Sequence, residues 1–119
     1  MDGQNPDFCF IPKDRRCPKS ADFCICIHGD CMAPYIENST VVYISRKSKI
    51  SEFDVGLFLY EGEILCRQWC EDYSGTVHLL CANPSRQEDN IAVPREKLDK
   101  LRCLGRVMLG KKLPRPTYL

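Results

Sequence analysis

From residue 21 onward, short apolar runs alternate with clusters of turn-forming residues, and most of the runs have the period of two that marks strands rather than the 3.6 of helices. The segments predicted as strands are Phe23 to His28, Thr40 to Ile44, Val55 to Tyr60, Ile64 to Trp69, Thr76 to Cys81, Asn90 to Val93 and Leu101 to Leu109. Glu61-Gly62-Glu63 separates two of them with glycine at its centre, which is the length and composition of a hairpin turn. Ser74-Gly75 marks a second turn, and Arg46 to Lys49 forms a basic loop. Met32 to Glu37 and Arg95 to Lys100 are each long enough for one helical turn and no more. The prediction is a mainly β domain.

Residues 1–20 do not share the pattern. They are polar, carry Pro6, Pro12 and Pro18, and bring four charges together at Lys13, Asp14, Arg15 and Arg16, so they read as an extended arm. The packed domain is expected over 21–110, followed by a basic tail over 111–119 whose run from Lys111 to Arg115 reads as a solvated chain end. A chain of 119 residues suits one core, and no stretch approaches the length of apolar sequence that a membrane-spanning helix needs. Seventeen Lys and Arg against 16 Asp and Glu leave a formal charge of +1, too little for a broad phosphate-binding face. DNA contact would therefore require a separate domain.

Nine cysteines would suggest a disulfide framework, but the count is odd and the residues after Met1 form no apolar leader. Several cysteines occupy core-like positions, such as Cys24 and Cys26 in an apolar run and Cys81 after Leu79-Leu80, where a thiol packs as a small hydrophobe. A reduced, cytoplasmic setting is expected. Zinc bound by Cys24, Cys26 and His28 on one strand face is the sharper alternative, yet no Cys-x-x-Cys occurs, and neither metal nor cofactor is expected.

The segment His28-Gly29-Asp30-Cys31-Met32-Ala33-Pro34 carries the most specific signal. It resembles the Gly-Asp-Ser-Met-x-Pro motif of the LexA, phage-repressor and UmuD-like self-cleaving peptidases, with Cys31 at the nucleophilic serine. Five further segments come after it in that family's order: Asn38-Ser39-Thr40-Val41-Val42, Phe53-Asp54-Val55-Gly56-Leu57-Phe58, Glu63-Ile64-Leu65-Cys66-Arg67-Gln68, Leu79-Leu80-Cys81-Ala82-Asn83-Pro84 and Leu104-Gly105-Arg106-Val107. The third resembles the strand that carries the catalytic lysine and places Arg67 at that residue; a one-residue shift would place Cys66 there. The resemblance implies the LexA C-terminal-domain fold, related to signal peptidases, with twisted, partly barrel-like antiparallel sheets and a peptide segment in the cleft. It also implies a two-fold homodimer through the C-terminal strand region, Arg102 to Leu109, and a role in transcription regulation such as phage repression or the SOS response. Signal peptidases share this type of loop but are membrane-anchored.

In that family a buried neutral lysine activates the serine, and the resemblance transfers those roles to Cys31 and Arg67. A cysteine can replace the serine, because a thiolate is a strong nucleophile. An arginine cannot replace the lysine, because a guanidinium stays protonated even when buried. Nor do residues 1–28 contain the Ala-Gly or Cys-Gly bond that such proteins cut in themselves. The expected reading is a regulatory and dimerisation domain with an impaired dyad. An active cysteine peptidase is one alternative, in which Arg67 lowers the Cys31 pKa, and a cysteine-based redox or metal sensor is another. Of the remaining candidates, Gly29, Asp30, Met32 and Pro34 read as shaping the loop, with Asp30 bonding to backbone amides. His28 reads as a weak candidate base, His78 as a strand-surface residue, Trp69 as core and Tyr73 as cleft or core.

Overall fold

Each of the seven runs expected to be a strand is one, and an eighth strand precedes them. The computed structural model describes residues 8–11, 17–46, 49–116 and 118. The strands are β1 (Phe8–Ile11), β2 (Phe23–Ile27), β3 (Val41–Ser45), β4 (Val55–Tyr60), β5 (Glu63–Glu71), β6 (Val77–Leu80), β7 (Ile91–Val93) and β8 (Arg102–Met108). They form one antiparallel sheet in the order β1-β2-β3-β8-β4-β5-β6-β7. The sheet is not closed into a barrel, since β1 and β7 stand at its two ends.

The β4–β5 pair shows how the sequence produces this layout. Tyr60 pairs with Glu63 across a two-residue turn in which Glu61 and Gly62 both take positive φ, +50° and +79°. That is the backbone handedness a tight hairpin requires. In β4, Val55 and Leu57 pack into one core cluster with Ile25, Ile44 and Val107, while Phe58 and Tyr60 pack into a second with Leu65, Leu79 and Val93. Burial on both faces accounts for the unbroken apolar run Val-Gly-Leu-Phe-Leu-Tyr. At the strand's midpoint the pairing with β8 shifts register between Leu57 and Phe58.

The predicted layout changes in two places. The arm is expected over 1–20, of which residues 1–7 and 12–16 lie outside the described residues. Within it, β1 pairs with β2 from Phe8↔Ile27 to Ile11↔Cys24, and Cys17 is buried against Ala21 and Cys24, so the sheet begins before residue 21. The segment from Met32 makes the one helical turn expected of it, with the Tyr35 and Ile36 amides donating to the Met32 carbonyl at 3.1 and 2.9 Å. A short 3-10 helix forms at Arg95–Lys100 as expected, and another, at Pro84–Asp89, has no counterpart in the predicted elements.

The C-terminal tail is also corrected. Leu113 is buried in the first core cluster, and the Gln68 side-chain amide donates to both the Phe53 and Pro114 carbonyls at 3.0 Å. Lys112 lies 3.7 Å from the Asp54 carboxylate, and the Tyr118 hydroxyl donates to the Cys81 carbonyl. The basic side chains remain exposed, but the tail backbone packs against the sheet, where Leu113 finds apolar neighbours and the Gln68 amide finds an acceptor.

Candidate functional site

The loop that leaves β2 turns at Gly29, whose φ of +96° suits a residue without a side chain. The Gly29 amide donates to the Asn38 side-chain oxygen at 2.8 Å, so the second motif segment braces the first. Met32, 1% exposed, and Ile36, 2% exposed, anchor the loop from below in the first core cluster. Asn83 holds it from the far side. Its backbone amide donates to the Cys31 carbonyl at 3.0 Å, and its side-chain amide donates to the Asp30 carbonyl at 2.9 Å. The same Asn83 side chain accepts from the Ser85 amide at 3.0 Å, capping the 3-10 helix Pro84–Asp89.

These contacts bring two cysteines 50 residues apart into covalent contact. Cys31 and Cys81 form a disulfide, with their Cα atoms 5.1 Å apart. The Cys81 amide donates to the Asn90 side-chain oxygen at 2.7 Å, which fixes the second half of the bridge to the loop before β7. The expectation that Cys81 simply packs is therefore corrected. The other seven cysteines form no disulfide.

A cleft of about 370 Å³ opens beside this bridge. Gly29, Asp30, Cys31 and Met32 line it from the loop, Arg67 lines it from β5, and Arg86, Asp89 and Asn90 line it from the 3-10 helix and its C-cap. Five of the six site residues expected from sequence thus meet in one cavity. Pro34 lies outside it, in a neighbouring depression with Gln68 and Pro114. Arg67 is 6% exposed. Its guanidinium donates to the Cys66 carbonyl at 2.9 Å and reaches the Asp89 carbonyl at 3.5 Å, while its Nε has no partner among the described residues. Cys66, the alternative in register, is buried in the core cluster against which Cys31 packs. Arg86 spans the cleft's two sides, 2.9 Å from Asp89 and 3.6 Å from Asp30.

The sequence model of the family described as Peptidase S24-like matches residues 4–108. The chain belongs to that family. Comparison with curated proteins returns no match.

The S24-like cleft differs from the expectation raised by sequence in what it can do chemically. With its sulfur bonded to Cys81, Cys31 has no thiol to ionise. Arg67 supplies positive charge and hydrogen-bond donors to the cleft, but no proton acceptor. The carboxylates of Asp30, Glu63, Glu88 and Asp89 outnumber the guanidiniums of Arg67 and Arg86 around it. Asp30 contributes its backbone carbonyl to Asn83 and its carboxylate to the Arg86 contact, rather than the backbone-amide bonding expected of it.

Residues away from the cleft divide similarly. Trp69 stacks on Phe58 with ring centroids 5.8 Å apart, in the core as expected. Tyr73 is fully exposed at the turn between β5 and β6, in neither cleft nor core. His78 bonds to the Asp72 carboxylate at 2.8 Å. The strand face expected to offer zinc ligands does not assemble in that form, because the Cys24 thiol is buried and bonds to the Ile11 carbonyl at 3.4 Å. Cys26 and His28 instead meet Cys9 of β1. Sequence reasoning missed Cys81 and Asn83 as parts of the site. Both belong to a recognised motif segment, which was the available signal that they lie near Cys31.

Proposed function

We propose that this chain is a LexA- and phage-repressor-type regulatory and dimerisation domain that holds a peptide segment in its cleft without cutting it. The observation that carries the reading is the sequestered sulfur of Cys31, bonded to Cys81 in a cleft whose neighbouring cation, Arg67, cannot accept a proton. Cleavage needs both a nucleophile and a group to shuttle the proton to the leaving amine, and this pair supplies neither. Cys31 and Arg67 are assigned to the family's nucleophile and lysine positions, with Gly29, Asp30, Met32 and Pro34 shaping the loop.

For dimerisation, β8 lies between β3 and β4, pairing with β3 over Arg106–Met108 and with β4 over Arg102–Arg106, so the side chains of its first residues are what a second copy would meet. On that face Cys103 and Leu104 share a depression with Phe10 and Phe23, and Phe10 is 61% exposed. An exposed phenylalanine packed on a second one 5.8 Å away is apolar surface suited to self-association. This narrows the expected Arg102 to Leu109 interface to its first residues, Arg102 to Leu104, together with Phe10 and Phe23.

The test incubates an Ala-Gly peptide of the family type with the oxidised chain, the reduced chain, and the Cys31→Ser/Arg67→Lys double variant, and determines each protein's mass in solution by sedimentation. Neither form of the unmodified chain should cleave, whereas the double variant should, and all should sediment as dimers. Cleavage by the reduced chain that disappears in Cys31→Ala would replace this reading with that of a cysteine peptidase. A monomer at tens of micromolar would remove the dimerisation role.

A further inference from the structure

The β1–β2 pair joins three soft donors that the cleft does not use. Cys9 and Cys26 are directly opposite each other in the antiparallel register, so their side chains rise from the same face of the sheet. His28 follows Cys26 by two residues on that face. The two thiol sulfurs and an imidazole nitrogen all lie within 4.8 Å of one another. Cys9 and His28 are exposed and Cys26 is half-buried, so the cluster is open to solvent.

Two thiols and an imidazole form a donor set that selects thiophilic cations over hard ones such as Mg²⁺ or Ca²⁺. In a tetrahedral zinc site, Zn–S bonds of about 2.3 Å and Zn–N bonds of about 2.0 Å place the donor atoms roughly 3.5–3.8 Å apart. The three donors here need close by only about 1 Å to reach that spacing, a movement within reach of side-chain rotation at an exposed site. We propose that Cys9, Cys26 and His28 form a three-ligand Zn²⁺ site with a fourth position open to water or a ligand from another molecule.

Binding breaks two S–H bonds and releases both protons to solvent, and two thiolates then balance the charge of the dication while the imidazole binds neutral. No oxidant or reductant takes part. Affinity therefore rises with pH through the thiol range. Burial and the neighbouring Cys9 thiol both hold the Cys26 proton more tightly than usual, so the ion must displace it. The ion also has a structural consequence, since β1 is the end strand of the sheet and its neighbour there is β2. A metal bridging Cys9 to Cys26 and His28 clips that strand in place and fixes the residue preceding Gly29 of the cleft loop. The proposal does not depend on whether the cleft is catalytic.

The test is an anaerobic titration of the purified chain with Co²⁺ as a spectroscopic stand-in, then competition with Zn²⁺, with the Cys31–Cys81 bond intact. One equivalent of Co²⁺ should produce a thiolate-to-metal charge-transfer band that zinc abolishes. Losing a direct ligand should weaken binding at least as much as losing an outer-shell partner does, about 10–100-fold, in Cys9→Ser, Cys26→Ser and His28→Ala alike. Cys70→Ser and Cys103→Ser, which alter thiols elsewhere, should leave the band unchanged. Hydrogen exchange gives a second readout, with the β1 amides protected by zinc in the unmodified chain and not in His28→Ala. A band that survives Cys26→Ser would overturn the site, as would a Cys9–Cys26 disulfide found by mass spectrometry in the anaerobic chain.

Discussion

At the scale of single residues, Asp72 shows how one carboxylate can organise a turn. Its Oδ1 accepts from the Ser74 amide at 2.8 Å, the Ser74 hydroxyl at 2.6 Å and the Thr76 amide at 3.2 Å, while Oδ2 meets His78 at 2.8 Å. These bonds favour the charged form, with the Ser74 hydroxyl contributing most and His78 next, and they hold the carboxyl well below its ordinary value of 3.8. A depressed folded-state pKa means that the unfolded chain binds the proton first as the solution is acidified. The stabilisation is therefore complete above about pH 4 and is lost as pH falls from there toward the lower folded value. Urea midpoints measured from pH 6 down to pH 2 should decline more steeply for the unmodified chain than for Asp72→Asn. Parallel curves would show that the carboxylate contributes nothing specific to the turn.

At the scale of elements, strands are legible where one short segment carries enough apolar surface to be buried by itself. The bounds of β4 are plain in the sequence because both of its faces pack. Those of β1 are not, because Phe-Cys-Phe-Ile lies between Pro6 and Pro12 in polar sequence and its order depends on pairing with β2, a contact the local pattern does not contain. In β8, Gly105 packs closely against β3. A Cβ added there would overlap the Ile44 side chain and lie 3.1 Å from the Ser45 carbonyl, and backbone cannot give way as a flexible side chain can. Gly105→Ala should therefore destabilise the domain by about 1–3 kcal/mol through overpacking. Gly110→Ala is the matched control, because its added Cβ meets nothing within 4 Å. Equal urea midpoints for the two variants would mean that β8 and β3 can separate without loss.

At the scale of the whole molecule, the site is assembled by contacts that no window of sequence displays. Cys31, Arg67 and the Gly29 to Pro34 loop are legible because the family resemblance orders them along the chain. The bridge to Cys81 is not, because a thiol in an apolar run looks the same whether it packs or pairs, and only the fold brings residues 50 apart together. The tail is misleading for a related reason, since its charges are plain in sequence whereas the burial of Leu113 and the carbonyl that Gln68 needs are not.

The bridge also makes a global prediction. By the loop-entropy relation, a cross-link spanning this separation stabilises the fold by about 4 kcal/mol, because it restricts the unfolded chain. A reductant should therefore lower the urea midpoint of the unmodified chain markedly. Cys81→Ala should begin near that lowered value and ignore the reductant, and an equal response in both would show that the bridge contributes no stability. Reduction should not scatter the site, because the Asn83 amide still holds the Cys31 carbonyl and the Asn90 side chain still holds the Cys81 amide. The two sulfurs remain poised to re-form the bond. Any condition that frees a nucleophile in this cleft therefore lowers the stability of the same domain, so the bridge ties the two properties to a single redox step.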